Sequence, residues 1–131
     1  MAGAGIAKFD RIRSRVEYLK IQKQGKRFRA GNFLVNYLVR EDGRVRFGIV
    51  ASSKLRRAVD RNRVKRVLRE FYRLNRARLQ GLFALALVRE NAGADLVFVA
   101  YPGSEKLKYQ EAAGQLLAGF DKELKRITEH T

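Results

Sequence analysis

A chain of 131 residues with 46% hydrophobic content is large enough for one domain around one core. It has no cysteine, which excludes a disulfide framework and a thiolate metal site. Its single histidine, His130, makes a histidine metal cluster or a Ser-His-Asp triad hard to build. The net charge of +16, from 29 Lys/Arg against 13 Asp/Glu, points to a polyanionic partner.

The first seven residues are small and mostly apolar, without the charged start and long apolar core of a signal peptide. No run approaches the roughly 18 apolar residues of a membrane span. The expectation is a soluble, cytoplasmic single domain over 1–131, with 1–8 disordered. Arg11 to Gln24 reads as a short helix with Gly25 as its C-cap. Lys26, Arg27 and Arg29 then form a basic connection. Phe33 to Arg40, rich in β-branched and aromatic residues, reads as a strand. Asp42-Gly43 suits a type I′ turn, and Val45 to Ala51 reads as the returning, antiparallel neighbour.

A basic helix is expected over about 58–78. Val64, Val67, Leu68, Phe71 and Leu74 form its apolar stripe. The segment from Leu79 to Ala94 fits a helix or a strand equally well. Asp95 to Tyr101 is a continuous apolar run typical of a buried strand, broken by Pro102-Gly103. A last helix starts at Ser104 or Leu107 and runs to Arg126, with Ala112, Leu116, Phe120 and Leu124 on its apolar face. The order predicts an α/β layer structure with one small sheet.

The excess charge is concentrated. Residues 1–31 carry a net +7 and residues 54–78 a net +9, whereas 32–53 carry +1 and 79–131 carry −1. In the basic helix Arg61, Lys65, Arg69, Arg73 and Arg76 recur at steps of four, four, four and three, giving a cationic stripe. Like charges at i, i+4 repel by a few tenths of a kcal/mol per pair. A solvated face would normally mix signs, and only Asp60 and Glu70 do so here. Membrane binding would need bulky apolar residues left free to insert, and the core claims this helix's apolar stripe. Arginine donates bidentately to phosphate oxygens, which makes Arg61, Arg63, Lys65, Arg66, Arg69 and Arg73 the first-choice nucleic-acid contacts. Asn62 offers an amide for a base edge or a 2′-OH, or serves as a helix cap. Glu70 is placed to orient its arginine neighbours. Tyr18, Phe28, Phe33, Tyr37 and Phe47 stand near basic residues and could stack on bases or fill the core. The core reading is favoured for Phe33 and Phe47, the surface reading for Tyr18. There is no P-loop, dinucleotide glycine fingerprint, metal-ligand spacing or catalytic carboxylate pair, so no catalytic or metal-binding residue is assigned.

The segment Arg61-Asn62-Arg63-Val64-Lys65-Arg66-Val67-Leu68-Arg69-Glu70 resembles the RNR motif of the protein subunit of bacterial ribonuclease P. Phe47-Gly48-Ile49-Val50 with Ser52-Ser53-Lys54, Arg11-Ile12-Arg13 with Glu17-Tyr18, Leu96-Val97-Phe98-Val99-Ala100 and Tyr109-Gln110-Glu111 extend the likeness over about residues 9–126. The resemblance implies a two-layer α/β (α+β) sandwich: a small mixed sheet, an N-terminal helix, the RNR helix in a βαβ crossover and a C-terminal helix. That fold is shared with a ribosomal-protein domain.

The resemblance also implies one protein bound to one catalytic RNA that removes the 5′ leader from precursor tRNA. The hydrolysis would depend on Mg²⁺ held mainly by the RNA. Carried over, Arg61, Asn62, Arg63, Lys65, Arg66, Arg69 and Arg73, with Lys54, contact RNA. Tyr18 and Phe33, with Lys20 and Arg11, receive the leader. This chain departs from the family pattern in three places. Gln22 stands where a cleft aromatic is usual, Asn36 where a strand aromatic is expected unless Tyr37 substitutes, and Ser53 where a Lys is usual. Leu79–Ala94 is also longer and more apolar than the family's usual connection. The alternatives are a general ribosomal-type RNA-binding protein and a nuclease in its own right.

Overall fold

The computed structural model describes residues 11–129 except 13 and 90, so the expected disorder of 1–8 and the position of His130 lie outside the described residues. The elements are α1 (Arg15–Gln24), β1 (Lys26–Ala30), β2 (Phe33–Arg40), β3 (Val45–Ala51), α2 (Ala58–Leu87), β4 (Gly93–Ala100), a 3-10 turn (Ser104–Lys106) and α3 (Tyr109–Glu129). They form a mixed four-stranded sheet in the order β1-β2-β4-β3. One face packs on α2 and α3, and α1 crosses the other. This is the expected α+β layer fold with a βαβ crossover through α2.

Alternation along each strand divides the two faces. Phe33, Val35 and Tyr37 of β2, Leu96 and Phe98 of β4, and Val45 and Phe47 of β3 enter the main core. There they meet Leu68, Phe71, Tyr72 and Phe83 of α2 and Leu116 and Phe120 of α3. The Phe120 ring stands edge-on to Phe98, Phe83 and Phe28, with centroids 5.0–6.4 Å apart. Phe47 stacks on Tyr72 at 4.1 Å, and the Tyr72 hydroxyl donates to the Val45 carbonyl. Behind the sheet, Ile12, Ile21 and Val97 make a small second cluster with Tyr18, Leu38 and Val99.

Four expectations need correction. The first helix starts at Arg15, four residues late. Ser14 caps it by accepting from the Val16 N–H at 3.1 Å, and Ile12 instead donates to the Phe47 carbonyl at 2.8 Å beside β3. The basic connection Lys26–Ala30 is a strand, paired antiparallel with β2 in the register Lys26↔Tyr37 to Ala30↔Phe33. Its basic residues are exposed and only Phe28 and Ala30 turn to the core, too short an apolar alternation by which to recognise it. Strands β2 and β3 run antiparallel but are not neighbours, because β4 lies between them. It pairs antiparallel with β2 (Leu34↔Val99) and parallel with β3 (Phe47↔Leu96). The Glu41–Arg44 turn therefore spans a gap one strand wide. It is held by Arg40, whose guanidinium donates to both Asp42 carboxylate oxygens, and by Gly43 at φ +74°. Finally, α2 runs on to Leu87, which resolves most of 79–94 as helix. Leu79, Phe83 and Ala86 continue its buried stripe. Val88 ends it in the left-handed region at φ 53°, a conformation that costs a β-branched residue about 1–2 kcal/mol.

Beyond the aromatic cluster, the buried Glu123 carboxylate accepts from the Tyr37 hydroxyl and pairs with Arg126 at 2.9 Å. Burial alone would raise the Glu123 pKa, but Arg126 and Tyr37 outweigh it and lower the pKa. Burial and the adjacent carboxylate push the Tyr37 phenol far up, so it remains a donor. A carboxyl whose folded pKa is depressed stabilises the fold above its unfolded value, near about 4.3, and that contribution is lost as pH falls through the folded value. Urea denaturation is therefore expected to show stability declining as pH falls below about 4.3, with Glu123→Gln flattening the decline. In the same assay at neutral pH, Phe120→Ala is expected to cost about 3–5 kcal/mol.

Candidate nucleic-acid interface

The cationic residues of α2 divide into those used by the fold and those left on its surface. One terminal nitrogen of Arg61 donates to the carbonyls of Leu55 and Arg56, both at 2.8 Å, and so pins the β3–α2 connection. Arg63 donates to the Glu105 and Leu107 carbonyls at 2.8 and 2.9 Å, tying α2 to the loop before α3. Both keep part of a five-donor guanidinium for another ligand. Arg73 forms a two-pronged pair with Glu70 at 2.8–2.9 Å. That bond raises the Arg73 pKa and lowers that of Glu70, and gives Glu70 the orienting place expected of it. Asn62, Arg66 and Arg69 are exposed and Lys65 is half-buried. They occupy one side of the cylinder, next to the side that touches β3.

That face continues into a cleft. A cavity of about 200 Å³ is bounded by Lys65 and Arg69 from α2, Arg11 and Tyr18 from the N-terminal segment, and the β3 backbone around Gly48. Tyr18 lies flat over Gly48, so closely that a Cβ at position 48 would overlap its ring and hydroxyl. Burial raises the Tyr18 phenol pKa, partly offset by a hydrogen bond with the Ile49 backbone. Beyond Tyr18, a second cavity of about 210 Å³ is lined by Gln22, Asn36, Val50, Val97 and Val99. The two carboxamides whose positions were expected to hold aromatics therefore face the same space, over an apolar floor.

Two expected cleft residues lie elsewhere. Phe33 is 1% exposed on the core face of β2, turned from α1 by strand alternation, so it is removed from the leader-binding set. Tyr37 shares that face and cannot stand in for Asn36. Lys20 is exposed on α1 but borders neither cavity, and Lys54 is exposed in the β3–α2 connection.

Two residues escaped the sequence reading. Arg46 donates to both oxygens of the buried Asp95 at 2.8 and 3.0 Å and reaches Glu17 of α1 at 3.0 Å, which locks α1 to the sheet. Nothing in its spacing marks it. Gly48 was detectable, because a lone glycine inside a strand pattern signals a close approach. Among the described residues no group of three or more His, Cys, Asp or Glu could hold a metal. Among the described residues, three carboxylates around the cleft are committed to arginines: Glu17 to Arg46, Glu70 to Arg73, and Asp95 to Arg40 and Arg46. These groups do not fit a resident Mg²⁺.

The family model described as Ribonuclease P matches residues 6–124. The ribonuclease P protein component of Syntrophobacter fumaroxidans is 33% identical over 111 residues, covering 85% of each chain. That of Desulfovibrio desulfuricans is 41% identical over 111 residues, covering 82% of this chain and 77% of the relative. Among solved structures, the RNase P protein of Thermotoga maritima superposes with a TM-score of 0.66 at 27% identity, over 82% of this chain and 92% of the other. The Staphylococcus aureus RNase P protein has the same fold, with a TM-score of 0.70 at 21% identity, over 87% and 94%.

The contact of Tyr18 with Gly48 makes a quantitative expectation. Gly48→Ala should cost about 1–3 kcal/mol in urea denaturation, because the new methyl and the ring cannot share the space. In a Tyr18→Ala background the same change should cost much less. Equal costs in both backgrounds would refute the contact.

Proposed function

This chain belongs to the ribonuclease P protein family, and on that premise we propose that it is an RNA-binding subunit that docks the catalytic RNA with α2 and holds the 5′ leader of precursor tRNA in the cleft under α1. The observation that carries this reading is the cavity shared by Lys65 and Arg69 with Arg11 and Tyr18. It makes one cationic track from the helix face to the cleft. Phosphates lying along α2 would neutralise like charges that repel one another in the unbound helix. Asn62, Lys65, Arg66 and Arg69 make the direct contacts. Arg61 and Arg63 contact RNA with the donors their backbone bonds leave over, and Arg73 does so beside Glu70. Lys54 extends the track into the connection.

In the cleft, Arg11 attracts leader phosphates and Tyr18 offers an aromatic surface, while Lys20 adds its charge from the exposed side of α1, outside both cavities. Gln22 and Asn36 bring hydrogen bonds where stacking rings were expected. The protein contributes binding and positioning, and the Mg²⁺ that assists phosphodiester hydrolysis is held by the RNA. The working particle contains one protein and one RNA, in the cytoplasm.

The test is cleavage of precursor tRNA at low Mg²⁺ by a bacterial ribonuclease P RNA, with and without the protein. Because Arg61 and Arg63 also brace the fold, the informative variant is Asn62→Ala/Arg66→Ala/Arg69→Ala. Wild type should stimulate cleavage at the mature 5′ end, and the triple variant should lose at least about tenfold of that stimulation while keeping its melting temperature. Tight, salt-sensitive binding to unrelated RNAs without stimulation would favour the general RNA-binding alternative instead.

A further inference from the structure

A third cavity, larger than the two described above, is remote from the cleft. Helix α3 touches β1 at Gly119, where a Cβ would collide with Ala30 and crowd Phe28, and beyond that contact helix and strand diverge. The opening between them has a volume of about 530 Å³, within the range of about 300–1,000 Å³ typical of ligand sites. Its floor is the half-buried ring of Phe28, held edge-on by Phe120 at 5.0 Å. Its walls carry Arg29 from β1 and Lys122, Lys125 and Arg126 from α3.

Of the two carboxylates that line this groove, Glu123 is taken by the Tyr37 hydroxyl and Arg126, which leaves Glu129. Lys26 adds its charge from β1, where it is felt at Glu123. Arg29 is held in place by donating Nε to the Gly31 carbonyl at 2.9 Å and by lying 4.7 Å over the Tyr101 ring. Among the described residues neither Lys122 nor Lys125 has an ion-pair partner. The strand order sets this groove at the β1 edge of the sheet, opposite the β3 edge beside which the cations of α2 lie. No part of the α2 surface or the leader cleft contributes to it.

We propose that the β1–α3 groove is a second RNA-binding site, which takes a phosphate-bearing unpaired nucleotide of the catalytic RNA with its base against Phe28 and its phosphate between Lys122 and Lys125. An aromatic floor with cationic walls is the chemistry that binds single-stranded nucleic acid without sequence preference. With α2 on one edge and this groove on the other, the protein bridges two separate elements of one RNA. The inference rests on the RNA-subunit reading above, because it assigns the groove to the same partner.

The experiment measures the dissociation constant of the full-length protein for a bacterial ribonuclease P RNA over a salt series. It compares wild type, Lys122→Gln/Lys125→Gln, and the α2 variant Asn62→Ala/Arg66→Ala/Arg69→Ala. Removing both lysines from around one phosphate should lower the slope of log affinity against log salt by about 0.7 to 1. Affinity should fall about tenfold or more, with the melting temperature unchanged. A photo-crosslinker at position 122 should then label one segment of the RNA subunit. Wild-type slope and affinity in the lysine variant, or no crosslink from position 122 to the RNA subunit, would overturn the groove assignment. If only the α2 variant loses affinity, the groove proposal fails and the subunit reading stands. If neither variant loses affinity, both fail.

Discussion

Strand β4 makes two kinds of ladder at once, antiparallel with β2 and parallel with β3. A parallel pair cannot be closed by a tight turn and needs a long crossover. Here the crossover is α2, a 30-residue helix that spans about 45 Å. Its apolar stripe must face the sheet to cover β4, and its cations must then turn outward beside β3. The position of the nucleic-acid face thus follows from how β4 is buried. β4 is apolar on both sides, as a central strand must be, except at Asp95. That carboxylate is 5% exposed and is neutralised by Arg40 and Arg46. Loss of one partner from such a buried pair typically costs about 3–5 kcal/mol.

Arg46 carries the constraint from the core to the cleft. It joins the buried Asp95 to Glu17 in the first turn of α1, a short helix that buries only Ile21 fully. Together with Tyr18 over Gly48, this contact sets the distance of α1 from the sheet. The geometry of a binding cleft thereby depends on a charge pair anchored inside the sheet, not on the weak amphipathicity of the helix that forms its wall.

The basic helix also shows how one residue type serves two ends. Arg61 and Arg63 satisfy backbone carbonyls in the β3–α2 connection and in the loop before α3, which would otherwise face solvent or go unpaired. Asn62, Arg66 and Arg69, interleaved with them, remain on the surface. A single Arg-rich stretch therefore fastens the crossover to its neighbours and presents charge to a partner. Substitutions within it need to be sorted by which of the two they disturb.

Local patterns made much of this protein readable in one dimension. The β2 and β3 bounds follow from β-branched and aromatic runs between turn residues. The apolar and cationic stripes of α2 follow from helical spacing, and the family likeness from one unbroken motif. Strand β1 was not readable, because Lys26-Arg27-Phe28-Arg29 lies on a sheet edge and is stabilised by pairing rather than by its own apolar pattern. Strand order was not readable either. Asp42-Gly43 favours a turn locally, but which strand lies beside β2 depends on burying the two-sided apolar surface of β4, a contest between residues some sixty positions apart. Phe33 and Tyr18, both aromatic and both near basic residues, look alike in sequence, and only the pleat places one in the core and the other in the cleft. Composition, periodicity and motif were thus sufficient to determine most of the elements, the charged face of α2 and the family. Strand neighbours, the two ends of the Arg46 bridge and the walls of both clefts were decided by the tertiary structure, because each depends on non-local burial and pairing that no short window of sequence contains.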